Sequence, residues 1–470
     1  MNAPDPPARP PGANLRPAPG WKGLTALFCL VFSALIWFQG LIASLERPSV
    51  LDQLSLRQME LAVLAADTVP PPLRTVVSGE DPRGDLTREL ERQLAAAAGP
   101  APAVRRLELA LLRRSGSDPG MEVGALKDLL PTIDLPRRPL LAALIAGERL
   151  DAGAREELLQ PWQASALLRR LSCEQLAASV KECSALTPDP STWRLLAITL
   201  LPLPMVLIGL ILLVRRIWLQ ASGRAKDPPP LLGPPLSMID VILLIAGGFV
   251  LLGEVLMPHL AQPLLAAALT SLRLPASLNQ GLTVMGLYLA LTSAPLLILV
   301  VLLLPAGAVP PGGWLQWRWQ PLLQALGQAA ACLLMVLPAV VLVSWLIERI
   351  WGDAGGSNPL LELVLTSGDP AALACFGVTA VVLAPLFEET LFRGVLLPVL
   401  GRAWGGATAV LASAAVFALA HLSIGELAPL FLLGLGLGWL RWRSGRLASS
   451  VLMHGLWNGI TFLNLLLLAD

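Results

Sequence analysis

The sequence LTALFCLVFSALIWFQGLIASL at residues 24–45 decides the class of fold, because it is uniformly apolar and carries no charge. At ~1.5 Å per residue in a helix, it is long enough to cross the ~30 Å hydrocarbon layer of a membrane. It is also longer than the apolar region of a signal peptide, and no cleavage site of small residues ends it. We therefore predict a retained transmembrane helix.

The same apolar character runs through much of the chain. Of its 470 residues, 55% are hydrophobic and only 14% are charged, whereas soluble domains carry about 25% charged residues. Lipid admits only helices or closed barrels, and the apolar runs are too long for barrel strands. The prediction is an all-α polytopic transmembrane helical bundle. It has about eight or nine spans, at residues 24–45, 194–214, 237–256, 282–304, 323–347, 371–400, 406–422, 427–440 and 449–468.

Composition divides the rest of the chain into segments. Residues 1–20 are rich in proline and poor in large apolar side chains, which predicts a disordered tail. Residues 46–192 carry frequent charges in helical patterns, so we predict a soluble, mainly helical domain inserted between the first two spans. Residues 215–236 are a Pro-rich linker, and residues 237–468 are the main membrane domain.

Positive charge in the loops predicts the orientation, because arginine and lysine are enriched in cytoplasmic loops. Such cations precede the first span and follow the second: Arg9, Arg16, Lys22, Arg215, Arg216, Arg224 and Lys226. We therefore expect an integral protein of a bacterial plasma membrane with a cytoplasmic N-terminus. The domain at 46–192 then lies outside the cytoplasm, where a disulfide between Cys173 and Cys183 is one of two open outcomes.

Three charges interrupt an apolar run in the sequence FEETLFR, residues 387–393. Glu389 and Arg393 are four residues apart, so they share one face of a helix and can pair. Glu388 lies about 100° around the same helix and is left free for chemistry. Charges inside a bilayer cost a few kcal/mol each, so they usually mark a functional site or an internal pair. A pair that only anchors the end of a helix is the structural alternative.

Two of the three histidines, His421 and His454, lie in later apolar runs. Phe417 precedes His421 by one turn, and Asn458 follows His454 by one turn, so each pair shares a helix face. An aromatic ring can enclose an imidazole, and a carboxamide can fix its tautomer or donate to a developing oxyanion. A single histidine in an apolar helix is more often a core residue. Two of them together with the acid pair favour a shared site, with both imidazoles within a water's reach of Glu388.

The segments EETLFR, FALAH and HGLWN match, in this order, the motifs EExxxR, FxxxH and HxxxN. These are the motifs of the CPBP family of intramembrane proteases, which includes the type II CAAX prenyl endopeptidases and bacteriocin-processing or immunity proteins. The chain resembles this family over residues 388–458, within the membrane domain. Each motif is weak alone, but the ordered set of three is specific.

The resemblance implies that Glu388 activates a water that attacks a peptide carbonyl, while His421 and His454 place that water or hold a metal. Asn458 would steady the oxyanion. The resemblance also implies three supporting residues, namely Glu389, Arg393 and Phe417. Two imidazoles and a carboxylate are a fair ligand set for zinc or another divalent metal, and a desolvated carboxylate is also a competent base. The metal-bound and metal-free versions both stay open.

The predicted function is that of an intramembrane endopeptidase acting on a membrane-associated protein or peptide. Its expected partners are this substrate, the lipid bilayer and an unknown partner of the domain at 46–192; a net charge of +1 gives no reason to expect nucleic acid. Two alternatives stay open. One is a membrane transporter that relays protons through intramembrane acids and histidines. The other is a non-catalytic membrane scaffold or immunity protein.

Overall fold

The structure is a computed structural model. It describes residues 19–47, 50–96, 102–114, 119–163, 165–177, 179, 182–183, 190–351 and 359–469. These residues form helices and loops without a β-strand, so the predicted all-α class is confirmed. The predicted disordered tail at 1–20 lies outside the described residues up to residue 18.

The described residues form two compact units. The first holds those before Val50 together with Pro204–Leu463, and the second holds those of Val50–Leu203 together with Asn464–Asp470. Each has its own apolar core. The first unit contains every residue of the three sequence motifs, and we refer to it as the membrane unit.

Seven helices in the described part of the chain are long and apolar enough to cross a membrane. They are Gly20–Ser44, Ser191–Ala221, Met238–Ser271, Ala276–Leu303, Leu322–Trp351, Pro370–Trp404 and Leu447–Leu468. The runs predicted as spans at 406–422 and 427–440 form helices that are not among the seven. The first helix has 15 residues and so covers only ~22 Å, and the second ends on arginines. The polytopic bundle is confirmed, while the predicted count of about eight or nine spans is higher than this seven.

Five helices of the chain contribute to the candidate site. They are the N-terminal helix (Gly20–Ser44), the glutamate helix (Pro370–Trp404), the phenylalanine helix (Gly406–Ala420), the glycine-rich helix (Leu427–Ser444) and the C-terminal helix (Leu447–Leu468). The glycine-rich helix packs closely on the phenylalanine helix. A Cβ atom on Gly434 would lie 3.1 Å from Ala414, so a larger residue would push the two helices slightly apart.

The Pro-rich linker is held to the membrane unit along its backbone. Three arginines of the glutamate and glycine-rich helices donate hydrogen bonds to its carbonyl groups: Arg402 to Leu236, Arg441 to Leu232 and Arg443 to Lys226. The guanidinium groups therefore supply donors to a segment whose prolines can form no regular helix or sheet. These three arginines thus bind the linker to the glutamate and glycine-rich helices.

The described residues of the second unit form helices joined by short loops. Its helices are Val50–Ala65, Pro71–Ser78, Pro82–Ala96, Ala103–Arg114, Pro119–Leu129, Arg138–Ala146, Ala152–Leu159, Ala166–Leu176 and Pro190–Leu200. A disulfide joins Cys173 to Cys183, with 5.8 Å between their Cα atoms. The two cysteines can meet because the helix that carries Cys173 ends at Leu176. The location of this unit outside the cytoplasm stays a prediction.

Candidate functional site

The glutamate helix is irregular on both sides of its two acids. Widened π-helical turns occupy Thr379–Leu383 before Glu388 and Thr390–Leu396 after Glu389. Such turns are rare in helices and occur frequently at functional sites. They shift the angular position of the residues that follow, so the faces of this helix do not follow from a 3.6-residue period alone.

Pro385 explains how the C-terminal helix docks at this irregularity. In the first π turn the N–H of Ala384 donates to the carbonyl of Thr379, so the next carbonyl, that of Ala380, would need the N–H of residue 385. Proline has none. The side-chain amide of Asn458 donates to the carbonyl of Ala380 instead, at 2.8 Å. Asn458 thereby satisfies a backbone acceptor and fixes the C-terminal helix beside the glutamate helix.

Glu389 connects the glutamate helix to the C-terminal helix. One of its carboxylate oxygens, Oε1, accepts from Nη1 of Arg393 at 2.8 Å and from Nδ1 of His454 at 3.0 Å. Both members of the Glu389–Arg393 pair are fully buried. Because a carboxylate only accepts, Nδ1 of His454 carries a proton, and in the neutral imidazole Nε2 then carries a lone pair.

Arg393 is held from three directions, which is how a charge can lie in this core. Besides the carboxylate of Glu389, it donates to the carbonyl of Gly434 at 3.1 Å. Its guanidinium carbon also lies 4.3 Å from the centroid of the Phe417 ring, a favourable cation–π arrangement. Arg393 therefore links the glutamate helix to both the phenylalanine and the glycine-rich helices.

Phe417 lies against both imidazoles. Its ring centroid is 4.6 Å from that of His421 and 5.7 Å from that of His454, in edge-to-face arrangements. The backbone carbonyl of Phe417 bonds to Nδ1 of His421 at 2.8 Å. A carbonyl can only accept, so Nδ1 of His421 also carries a proton, and in the neutral imidazole Nε2 carries a lone pair.

The free lone pairs of both histidines face Glu388. Nε2 of His421 and Nε2 of His454 each lie 3.9 Å from Oε2 of Glu388. This oxygen is buried and has no hydrogen-bond partner among the described residues. The side chains of Glu388 and His421 are 18% and 24% exposed, and that of His454 is 4% exposed. With both imidazoles neutral, three acceptors therefore surround one gap, and a water there can donate to two of them at a time.

The same distances test whether zinc fits these three residues. Two ligands of a tetrahedral zinc ion lie about 3.3 Å apart when each metal–ligand bond is about 2.0 Å. The separations of 3.9 Å are wider. No group of three or more His, Cys, Asp or Glu side chains in the described ranges meets the geometry of a metal site. The residues as arranged do not fit zinc, and the metal stays a prediction for experiment.

Six of the seven predicted site residues thus form one connected group around the gap, and Asn458 lies apart from it. Glu388, His421 and His454 surround the gap, and Glu389, Arg393 and Phe417 hold them. Asn458 instead bonds to Ala380, about two helical turns before Glu388, so its role at an oxyanion stays a prediction. Neither the bond to the carbonyl of Gly434 nor the contribution of Pro385 was predicted from the sequence. A proline three residues before the acid pair was the available signal for the second.

Comparison with protein families identifies the segment that contains these residues. Residues 370–460 match the family described as Type II CAAX prenyl endopeptidase Rce1-like. The chain carries an Rce1-like domain. This confirms, for these residues, the recognition of the CAAX protease family made from the motifs. All seven motif residues of the Rce1-like domain lie inside the matched range.

A second family model matches the domain between the first two predicted spans. Residues 51–192 match a domain of unknown function, DUF8675. No curated protein and no solved structure matches the chain. The Rce1-like domain is therefore the segment from which a function can be argued.

Proposed function

We propose that the chain is an intramembrane endopeptidase in which Glu388 activates a water for attack on a peptide carbonyl. The observation that supports this most directly is the gap between Oε2 of Glu388 and the Nε2 atoms of His421 and His454. A water there can donate to the carboxylate and to one imidazole while it presents its oxygen to a substrate. Its position next to a carboxylate is what general-base catalysis requires.

In the first step, the water oxygen forms a bond to the carbonyl carbon of the substrate and its proton moves to Glu388. The carbonyl oxygen takes the electron pair of the C=O double bond and becomes an oxyanion. One of the two imidazoles, of His421 or His454, accepts a hydrogen bond from the second O–H of the water through its Nε2 lone pair, and both rings keep their own protons on Nδ1. They orient the nucleophile without changing charge.

In the second step, the C–N bond of the tetrahedral intermediate breaks. The proton held by Glu388 passes to the leaving nitrogen, and the oxyanion returns to a carbonyl as part of the new carboxyl group. Glu388 is then a carboxylate again, ready for the next water. No further reactant is needed, because one water is consumed for each peptide bond.

Glu389 and Arg393 support this step through His454. Glu389 accepts from Nδ1 of His454, which fixes both the orientation of the ring and the tautomer that leaves Nε2 free. Arg393 neutralises Glu389, so that only Glu388 carries an uncompensated negative charge beside the gap. Because the hydrogen bonds of Glu389 fix its position, it holds the imidazole of His454 in a constant position relative to Glu388.

The substrate class follows from the surroundings of the site. The residues around the gap lie on apolar helices, and the side chain of His421 retains partial access from outside. A scissile bond that reaches this gap belongs to a protein or peptide that is already associated with the membrane. We therefore propose a membrane-associated protein or peptide as substrate.

The test is peptide cleavage by Glu388→Gln in the full chain reconstituted in lipid vesicles. Glutamine keeps the shape of the side chain but does not accept the proton, so the rate should fall about 10²-fold or more while the protein still inserts. Glu254→Gln is the matched control, since Glu254 lies in another apolar helix and accepts from Trp37 at 3.2 Å, a bond that glutamine can retain. Its rate should stay within about threefold of wild type.

A library of membrane-anchored peptides supplies the substrates, and mass spectrometry detects the products. Cleavage at the wild-type rate by Glu388→Gln would rule out the mechanism. Absence of any cleavage together with a proton flux that depends on Glu388 would support the transporter alternative instead.

A further inference from the structure

The loop that follows His421 is held by the end of the N-terminal helix. The guanidinium of Arg47 donates to the carbonyl of Leu422, and the same nitrogen lies 3.4 Å from the carbonyl of Gly40. The hydroxyl of Ser44, which is fully buried, accepts from the N–H of Ile424 at 3.1 Å. Two backbone groups next to His421 are therefore bound by a helix more than 370 positions away in the sequence.

Leu422 has a backbone conformation that needs such support. Its φ angle is +51°, in the left-handed region that residues other than glycine rarely adopt. Backbone strain of this kind persists only where the surroundings impose it, and it is concentrated at functional sites. Here Arg47 binds the carbonyl of Leu422, and the side chain of Leu422 packs against Gly40. A Cβ atom on Gly40 would lie 2.9 Å from Cδ1 of Leu422.

His421 lies between the phenylalanine helix and this loop. The phenylalanine helix ends at Ala420, so His421 is the first residue beyond it. Within its own helix, Nδ1 of His421 bonds to the carbonyl of Phe417. On the other side of His421 follows the loop whose backbone Arg47 and Ser44 bind.

We propose that Gly40, Ser44 and Arg47 are positioning residues for His421, so that the N-terminal helix is part of the catalytic apparatus. This rests on the proposed function for its effect on catalysis. It extends the functional unit beyond the matched range of 370–460. The expected consequence of disturbing the contact is a misplaced imidazole, with the substrate-binding surface left as it was.

The first experiment measures kcat and KM in the reconstituted full chain. Arg47→Met removes the donor, and Gly40→Val pushes Leu422 away without changing charge. Each should lower kcat about 10- to 100-fold with KM within about threefold, because small displacements of a reacting group have effects of this size. Arg47→Lys keeps a donor to the Leu422 carbonyl and should recover kcat to within about threefold. Gly23→Val makes the same substitution in the same helix, where a Cβ meets open space, and should match wild type.

The second experiment measures hydrogen–deuterium exchange at the amides of residues 422–426, which does not require activity. Ser44→Ala and Arg47→Met should speed exchange at the Ile424 amide, and Gly23→Val should not. Unchanged exchange in the first two variants overturns the contact itself. Suppose that Glu388→Gln is inactive, as the proposed function requires. Faster exchange in Ser44→Ala and Arg47→Met together with a wild-type kcat then overturns the positioning role. If Glu388→Gln remains active, the proposed function fails and the exchange result alone decides the contact.

Discussion

Replacing Glu389 by glutamine should cost more than the loss of one hydrogen bond. The substitution leaves the guanidinium of Arg393 fully buried without a counter-charge, and breaking a buried ion pair in this way costs about 3–5 kcal/mol. The new amide also replaces Oε2, which has no hydrogen-bond partner among the described residues. Arg393→Met should cost a similar amount, since it strands the carboxylate instead.

The double variant tests this explanation. With both charges gone, the total loss should be at least about 2 kcal/mol smaller than the sum of the single losses. The assay is the free energy of unfolding of the purified chain in micelles, measured for wild type, both single variants and the double variant. Arg402→Met is the control, because Arg402 bonds to the carbonyl of Leu236 and lies about 20 Å along the helix from Glu389. The losses in free energy of unfolding caused by Arg402→Met and Glu389→Gln should be additive within about 0.5 kcal/mol. The same additivity for Arg393→Met would refute the buried pair as the source of the cost.

Three further predictions concern pH, reduction and metal. Burial raises the pKa of Glu108 to about 7, above its ordinary value of about 4.3. The folded state then holds this proton more tightly, so the free energy of unfolding should fall as the pH rises from about 4 to about 7. Thermal melts at several pH values should show a weaker dependence of stability on pH in Glu108→Gln than in wild type. An equal dependence in the two proteins would contradict the raised pKa. Reduction of the disulfide between Cys173 and Cys183, a separation of 10 residues, should lower the free energy of unfolding by about 2–3 kcal/mol, and the double cysteine-to-alanine variant should not respond to reductant. A chelator should leave peptide cleavage unchanged, because the gap beside Glu388 fits water better than zinc; activity that is lost and then restored by zinc would show the opposite.

Helical periodicity accounts for the part of the site that lies within single helices. Glu389 contacts Arg393, and Phe417 contacts His421, because residues four apart meet on one face. Hydropathy likewise locates the long spans, since a continuous apolar run of sufficient length has few other uses. It overcounts where a helix such as Gly406–Ala420 is apolar but short.

Contacts between helices could not be predicted in the same way. The bond from His454 to Glu389 depends on how two helices are rotated against each other, and π turns change that rotation locally. The bond from Arg47 to Leu422 joins distant parts of the chain that share no periodic pattern. The motifs indicated which residues belong together through a family resemblance, but they carried no information about what holds them.

The link between Pro385 and Asn458 has a consequence for how related sequences can vary. Asn458 supplies a donor to the Ala380 carbonyl only because a proline follows five positions later. An ordinary residue at 385 would bring its own N–H and make the amide redundant for docking the two helices. The two positions should therefore change together among homologues, and Pro385→Ala should make the fold tolerant of Asn458→Ala. A designer who grafts the C-terminal helix onto another scaffold would need to transfer the proline with it.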